Sequence, residues 1–152
     1  MVGLVVDTVD KIMHGMELGN AGMHTLIRQW AEDGFMTKLI DLLLGRAFRI
    51  YLTSDHGNIE ATGCGRPAEG SVADLRGERV RVYPEDVLRA KVHAQYPNAV
   101  EWPTWGLPND YLPLLAGGRS AFVKTGDRVV CHGGASIEEV LVPFVEIESG
   151  AK

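Results

Sequence analysis

Three of the five histidines in this sequence are followed directly by glycine: His14-Gly15, His56-Gly57 and His132-Gly133-Gly134. Glycine beside a ligand permits backbone torsions and close approaches that a side chain would block. Two of these histidines also stand near a carboxylate, since Asp55 precedes His56 directly and Asp10 precedes His14 in an Asp-x-x-x-His pair. Residues four apart share one face of a helix, so Asp10 and His14 can bind one ion. Asp55 and His56 can both turn toward a cation if their turn is tight. Carboxylate with imidazole suits Zn²⁺ or Mn²⁺ better than Ca²⁺, which prefers oxygen alone. Each piece also has a plain structural reading: a helix-face ion pair for Asp10 and His14, a turn capped by Asp55, and a core histidine at His132. In combination they point to a divalent-metal site with Asp10, His14, Asp55, His56 and His132 as its ligands.

Certain elements must hold these residues in place. Gly3 to Val6 is a short apolar run ending in Asp7, which predicts a buried strand. Met23, Leu26, Ile27 and Trp30 fall at i, i+3, i+4 and i+7, an amphipathic helix with Asn20 as its N-cap. Met36 to Leu44 resumes the helical apolar pattern after Gly34, closed by Gly45. Phe48 to Thr53 is β-branched and aromatic and predicts a strand whose carboxyl end carries Asp55-His56, where open α/β sheets bind ligands. Strand, helix, helix, strand predicts an α/β fold with a mainly parallel sheet flanked by helices. Residues 57–77 are rich in Gly, Ala and Pro and read as a long loop. Val80, Val82 and Tyr83 predict a half-exposed strand, and Pro84-Glu85-Asp86 opens a helix reaching Gln95. After the Pro- and Trp-rich stretch 96–113, Ser120 to Val123 and Arg128 to Cys131 read as strands around the Gly126-Asp127 turn. Val140 to Ile147 predicts the last strand.

At 152 residues, one domain over 1–152 is the expectation. A net charge of −5 argues against a general nucleic-acid affinity, which needs a basic surface to displace counterions. No apolar run approaches the roughly 18 residues that span a bilayer. The N-terminus lacks a basic region and a signal-like apolar stretch, so a cytoplasmic location follows. Cys64 and Cys131 form neither a metal spacing nor a disulfide framework, and read as free thiols. Arg76, Arg79, Arg81 and Arg89 alternate with Glu78, Glu85 and Asp86 as a mixed-charge exposed surface. Trp102 and Trp105, beside Pro103 and Pro108, read as pinning an irregular segment onto a core. His24 and His93 read as exposed helix residues.

Three segments carry a family resemblance. Thr53-Ser54-Asp55-His56-Gly57-Asn58 resembles the metal-binding signature of the alkaline phosphatase superfamily, and Asp10 with His14 resembles its upstream Asp-x-x-x-His. His132-Gly-Gly-Ala-Ser-Ile-Glu-Glu-Val-Leu-Val-Pro-Phe resembles the closing motif of one branch, the PglZ domain of phage-growth-limitation and BREX phage-defence systems. The resemblance covers essentially the whole chain and implies part of the alkaline phosphatase-like fold, the C-terminal portion of a PglZ domain. It implies two divalent ions, Zn²⁺ or Mn²⁺, with Asp10, His14 and His132 on one and Asp55 with His56 on the second. Such ions stand about 3.5–4 Å apart and clamp the attacking and leaving oxygens of a displacement. The resemblance further implies a Ser or Thr nucleophile outside this chain, an incomplete second site here, and little turnover by this chain alone. The complete domain would be a metal-dependent phosphoester hydrolase working with other defence-system proteins, and any nucleic-acid contact would come through the full-length protein. The other readings are a non-catalytic scaffold module of a defence complex and a phosphosugar mutase relative.

Overall fold

The computed structural model describes residues 1–14, 18–68 and 75–150, with the side chains of Leu75 and Arg76 excepted. In chain order the elements are α1 (Thr8–His14), α2 (Gly19–Glu32), α3 (Phe35–Leu44), β1 (Ile50–Thr53), β2 (Ile59–Gly63), β3 (Leu75–Arg76), β4 (Val80–Tyr83), α4 (Asp86–Gln95), β5 (Val100–Glu101), β6 (Leu112–Leu115), β7 (Ser120–Ala121), β8 (Arg128–Cys131), α5 (Ile137–Val140) and β9 (Phe144–Ile147). They form two compact units, Met1–Gly57 with Leu141–Lys152, and Asn58–Val140.

In the first unit, α1, α2 and α3 precede an antiparallel ribbon of β1 and β9, in register from Ile50 with Ile147 to Thr53 with Phe144. Met13 of α1 and Met23 of α2 are buried, while Ile27 and Trp30 are half-buried, so the predicted stripe faces inward except at Leu26, which is exposed. Leu18 is the N-cap of α2, placing Asn20 inside the helix rather than before it. Gly45 closes α3 as expected. The ribbon is joined by stacked Tyr51 and Phe144 rings, with centroids 5.7 Å apart, and by the Tyr51 hydroxyl donating to Glu146 at 3.1 Å. Residues 3–6 are not a strand: they lie outside regular structure and are exposed, Val5 wholly so. A short apolar run becomes a strand only where a partner completes its ladder, and none among the described residues does.

The second unit holds two small sheets, β7-β2-β8 and β3-β4-β6-β5, with α4 and α5. One core cluster gathers Tyr83, Val92, Leu114 and Phe122 between α4 and the four-stranded sheet; another gathers Ile59, Ala61, Ala121, Val123 and Cys131 in the three-stranded one. The mainly parallel sheet expected from the sequence is overturned. Among the described strands only β2 and β7 pair in parallel, and every other pairing is antiparallel. The reason lies in element order. Parallel neighbours need a helical crossover between them, yet α2 and α3 both precede β1, and the run expected to be the first strand is none.

Four further expectations are corrected. The 57–77 segment contains β2, whose Ile59, Ala61 and Gly63 are buried in alternation; residues 69–74 lie outside the described residues. The segments at 120 and 128 flank β2 on either side instead of pairing with each other. The segment from 140 begins in α5, and the strand starts only at Phe144. Trp102 and Trp105 are exposed, at 44% and 91%, rather than packed onto a core.

Candidate metal centre

Asp10 and His14 lie on α1, as the four-residue spacing required, with Met13 buried between them. His14 Nε2 stands 3.5 Å from Asp10 Oδ1. Two ligands held about 2.0–2.1 Å from a tetrahedral Zn²⁺ are about 3.4 Å apart, so this edge already has the size of a shared coordination site. Upstream on the same helix, Lys11 pairs with Asp7 at 2.7 Å, and that hydrogen bond holds the exposed Asp7 carboxyl below its usual range. Gly15 lies outside the described residues.

Asp55 and His56 follow directly on β1, at its carboxyl end. The strand end is fixed by Thr53, whose hydroxyl donates to the Pro143 carbonyl at 2.7 Å. Asp55 Oδ1 accepts the His56 backbone N–H at 3.1 Å, the local cap that the plain reading of this turn anticipated. Its other oxygen, Oδ2, is 3.8 Å from His56 Nε2. His56 Nδ1 lies 2.9 Å from the Gly57 carbonyl. A proton on Nδ1 donated there leaves the Nε2 lone pair for a ligand, the arrangement by which a backbone carbonyl commonly orients a metal-binding imidazole. Asp10 and His56 each bring a ligand atom within 4.8 Å of the other. The first unit thus gathers four expected ligands in succession: His14 beside Asp10, Asp10 beside His56, His56 beside Asp55. By donor type, a carboxylate paired with an imidazole suits a borderline divalent ion such as Zn²⁺ or Mn²⁺.

His132 belongs to the second unit, one residue past β8, and is half-buried. Its neighbour Cys131 is fully buried, and burial, with Glu78 adding to it, pushes the thiol up to about 12. Cys131 is therefore a core residue, as the alternation along β8 required.

The residues that the sequence concealed lie next to His132. Arg79 and Arg81, expected on an exposed mixed-charge surface, are buried at 1% and 7% exposure, and β4 is buried rather than half-exposed. Arg81 lies over the Phe122 ring, 5.7 Å from its centroid, and donates to the Phe122 carbonyl at 3.2 Å. Arg79 forms a buried bidentate pair with Glu139, both contacts at 3.0 Å, and also donates to the Ser120 carbonyl. Burial would raise the Glu139 carboxyl, but hydrogen bonds from Arg79, Gly134 and Ser136 outweigh it and bring it from 4.5 to about 2. Arg89 is half-buried between Asp86 and Glu101, at 2.7 and 3.5 Å. His93, expected in solvent, is half-buried against Glu101 at 2.8 Å, whereas His24 is exposed.

The sequence matches the family model of the BREX system PglZ alkaline phosphatase-like domain over residues 1–147. The chain belongs to the PglZ family. It is accordingly a domain of a phage-defence system with an alkaline phosphatase-like, phosphoesterase-type ancestry, and that family implies a divalent metal. No curated protein and no solved structure matches the chain. Among the described residues of this PglZ chain, no helix is long and apolar enough to cross a membrane.

Proposed function

We propose that this PglZ chain supplies metal ligands to a metal-dependent phosphoester hydrolase of a bacterial phage-defence complex. Asp10, His14 and His132 serve one divalent ion, and Asp55 with His56 the adjacent one. The carrying observation is the succession His14, Asp10, His56, Asp55 at ligand-sized separations within one unit. His132 is assigned by the PglZ motif it opens, not by that cluster. When bound, ions of this kind polarise a phosphoryl group and activate an oxygen nucleophile. The chain's own residues do simpler work. α1 presents Asp10 and His14 on one face, the β1 end presents Asp55 and His56, and the Gly57 carbonyl sets the His56 ring. We assign no nucleophile among these 152 residues, and they turn over little or no phosphoester alone. The location is cytoplasmic, and the partners are other proteins of the same defence system.

Calorimetric Zn²⁺ and Mn²⁺ titration of the purified chain, with His56→Ala and His132→Ala alongside, tests this reading. Tighter binding by the wild type than by either variant is the expected result. Equal binding by all three sinks the metal-site reading while leaving family membership intact.

A second reading, a scaffold role, draws on one observation: the β1–β9 ribbon leaves Tyr51, Leu52, Phe144 and Val145 exposed, a surface suited to a protein partner. A scaffold would keep these metal motifs for structure, so the full-length chain separates the two: a Ser or Thr nucleophile after an apolar strand supports the enzyme.

A further inference from the structure

Among the described residues no strand pairs with the segment that follows His132, yet it is not left to itself. Between β8 and α5, residues 133–136 close around one carboxylate. Glu139 Oε1 accepts the Gly134 N–H at 2.8 Å, and Oε2 accepts the Ser136 N–H at 3.1 Å. From the other side the Arg79 guanidinium donates to both oxygens, and its remaining arm reaches the Ser120 carbonyl at the start of β7. One buried carboxylate therefore ties the His132 loop to β4 and β7, while the β8 ladder, pairing Cys131 with Ile59, fixes the residue just before His132.

The two glycines of the motif follow from this clamp. Gly133 adopts φ +101°, a conformation that side chains rarely take. Gly134 faces the ion pair so closely that an added Cβ would stand 2.7 Å from both Arg79 Nη2 and Glu139 Oε2. Stability alone does not account for such a pair, because replacing a buried ion pair with well-packed apolar residues is often neutral or stabilising. A bidentate fork, by contrast, fixes direction as well as distance.

We infer that Arg79 and Glu139 are positioning residues for His132, holding its backbone so that the imidazole meets a divalent ion in one orientation. This rests on the reading of His132 as a metal ligand. Outer groups that orient metal ligands typically change affinity 10–100-fold when altered. Glu138 provides an internal control: it is the neighbouring glutamate, but it is exposed and pairs with Arg119 on the surface.

The test is Co²⁺ binding to the full chain, read as affinity and as the visible ligand-field spectrum, with folding checked by circular dichroism. Glu139→Gln and Arg79→Lys should each bind Co²⁺ roughly 10–100-fold more weakly, with a spectrum shifted toward that of His132→Ala. Glu138→Gln should keep the wild-type affinity and spectrum. A folded Glu139→Gln or Arg79→Lys protein with wild-type affinity and spectrum overturns the inference. Unchanged binding by His132→Ala instead removes His132 from the metal site, and the inference falls with that reading. Amide hydrogen exchange on the wild-type chain tests the clamp even if neither variant folds: Gly134 and Ser136 should exchange as slowly as β8, and fast exchange at both overturns it.

Discussion

Removing the guanidinium from the buried pair should turn the Glu139 carboxylate from an anchor into a liability. In Arg79→Met the carboxylate keeps the N–H groups of Gly134 and Ser136, but its counter-charge is gone and its side chain is still only 1% exposed. Breaking a buried pair by deleting one partner costs about 3–5 kcal/mol, a large share of the 5–15 kcal/mol that typically holds a domain together. The pH dependence gives an independent check of sign. In the wild type, Glu139 sits at about 2 when folded against 4.5 ordinarily, a difference worth about 3 kcal/mol. Because the folded value is the lower one, this stability is fully present above the unfolded value. It is lost as pH falls from there through about 2. In Arg79→Met burial acts with the largest opposing hydrogen bond removed, so the folded carboxyl moves up and protonation relieves it. The stability gap between the two proteins should therefore be widest at neutral pH and narrow on acidification. Urea unfolding followed by the fluorescence of Trp102 and Trp105, which lie in the same unit as the pair, measures this gap. A gap under about 1 kcal/mol at neutral pH, the size expected of an exposed bridge, refutes the reasoning, as does a gap that widens in acid.

Two other outcomes follow from burial and close approach. A disulfide-exchange reagent at mildly alkaline pH should label Cys64, which is exposed, and reach Cys131 only in denaturant, since burial pushes the Cys131 thiol up to about 12; equal labelling of both in the native protein contradicts the fold around β8. Gly63→Ala places a Cβ 2.0 Å from the Lys124 backbone carbonyl, so a loss of about 1–3 kcal/mol or more is expected by thermal or urea unfolding, and an unchanged midpoint would mean that β2 does not pack as described.

The elements that carry the candidate ligands were partly legible because their information is local: the strand before Asp55-His56 ends at Thr53 as its residues predict, and a helix joins Asp10 to His14, for which only their spacing spoke. The sheet was not legible, because pairing depends on partners far away in the chain. Ile50 to Thr53 reads equally well as a parallel or an antiparallel strand until β9 is known to lie beside it. β2 was hidden for a related reason. Ile-Glu-Ala-Thr-Gly has little strand propensity, and what makes it a strand is packing: Ala61 and Gly63 are small enough for β7 and β8 to close on both sides.

The Arg79–Glu139 pair shows a subtler limit of reading charge along a chain. Arg79, Arg81, Glu78 and Glu85 in one stretch look like a solvated face, yet Arg79, in the bend before β4, and Arg81, within it, are both buried. The two arginines avoid the cost by different routes, Arg79 through a carboxylate 60 residues away and Arg81 through an aromatic face and a carbonyl. Nothing local marked Arg79 for burial: it stands between Glu78 and Val80, whereas Arg81, between Val80 and Val82, is the apolar-flanked arginine. The PglZ closing motif is then read more fully as a ligand together with its mounting. His132 would bind, Gly133 turns the chain, Gly134 makes room for the ion pair, and Glu139 supplies the anchor, so a change at any of the last three should disturb His132 without touching it.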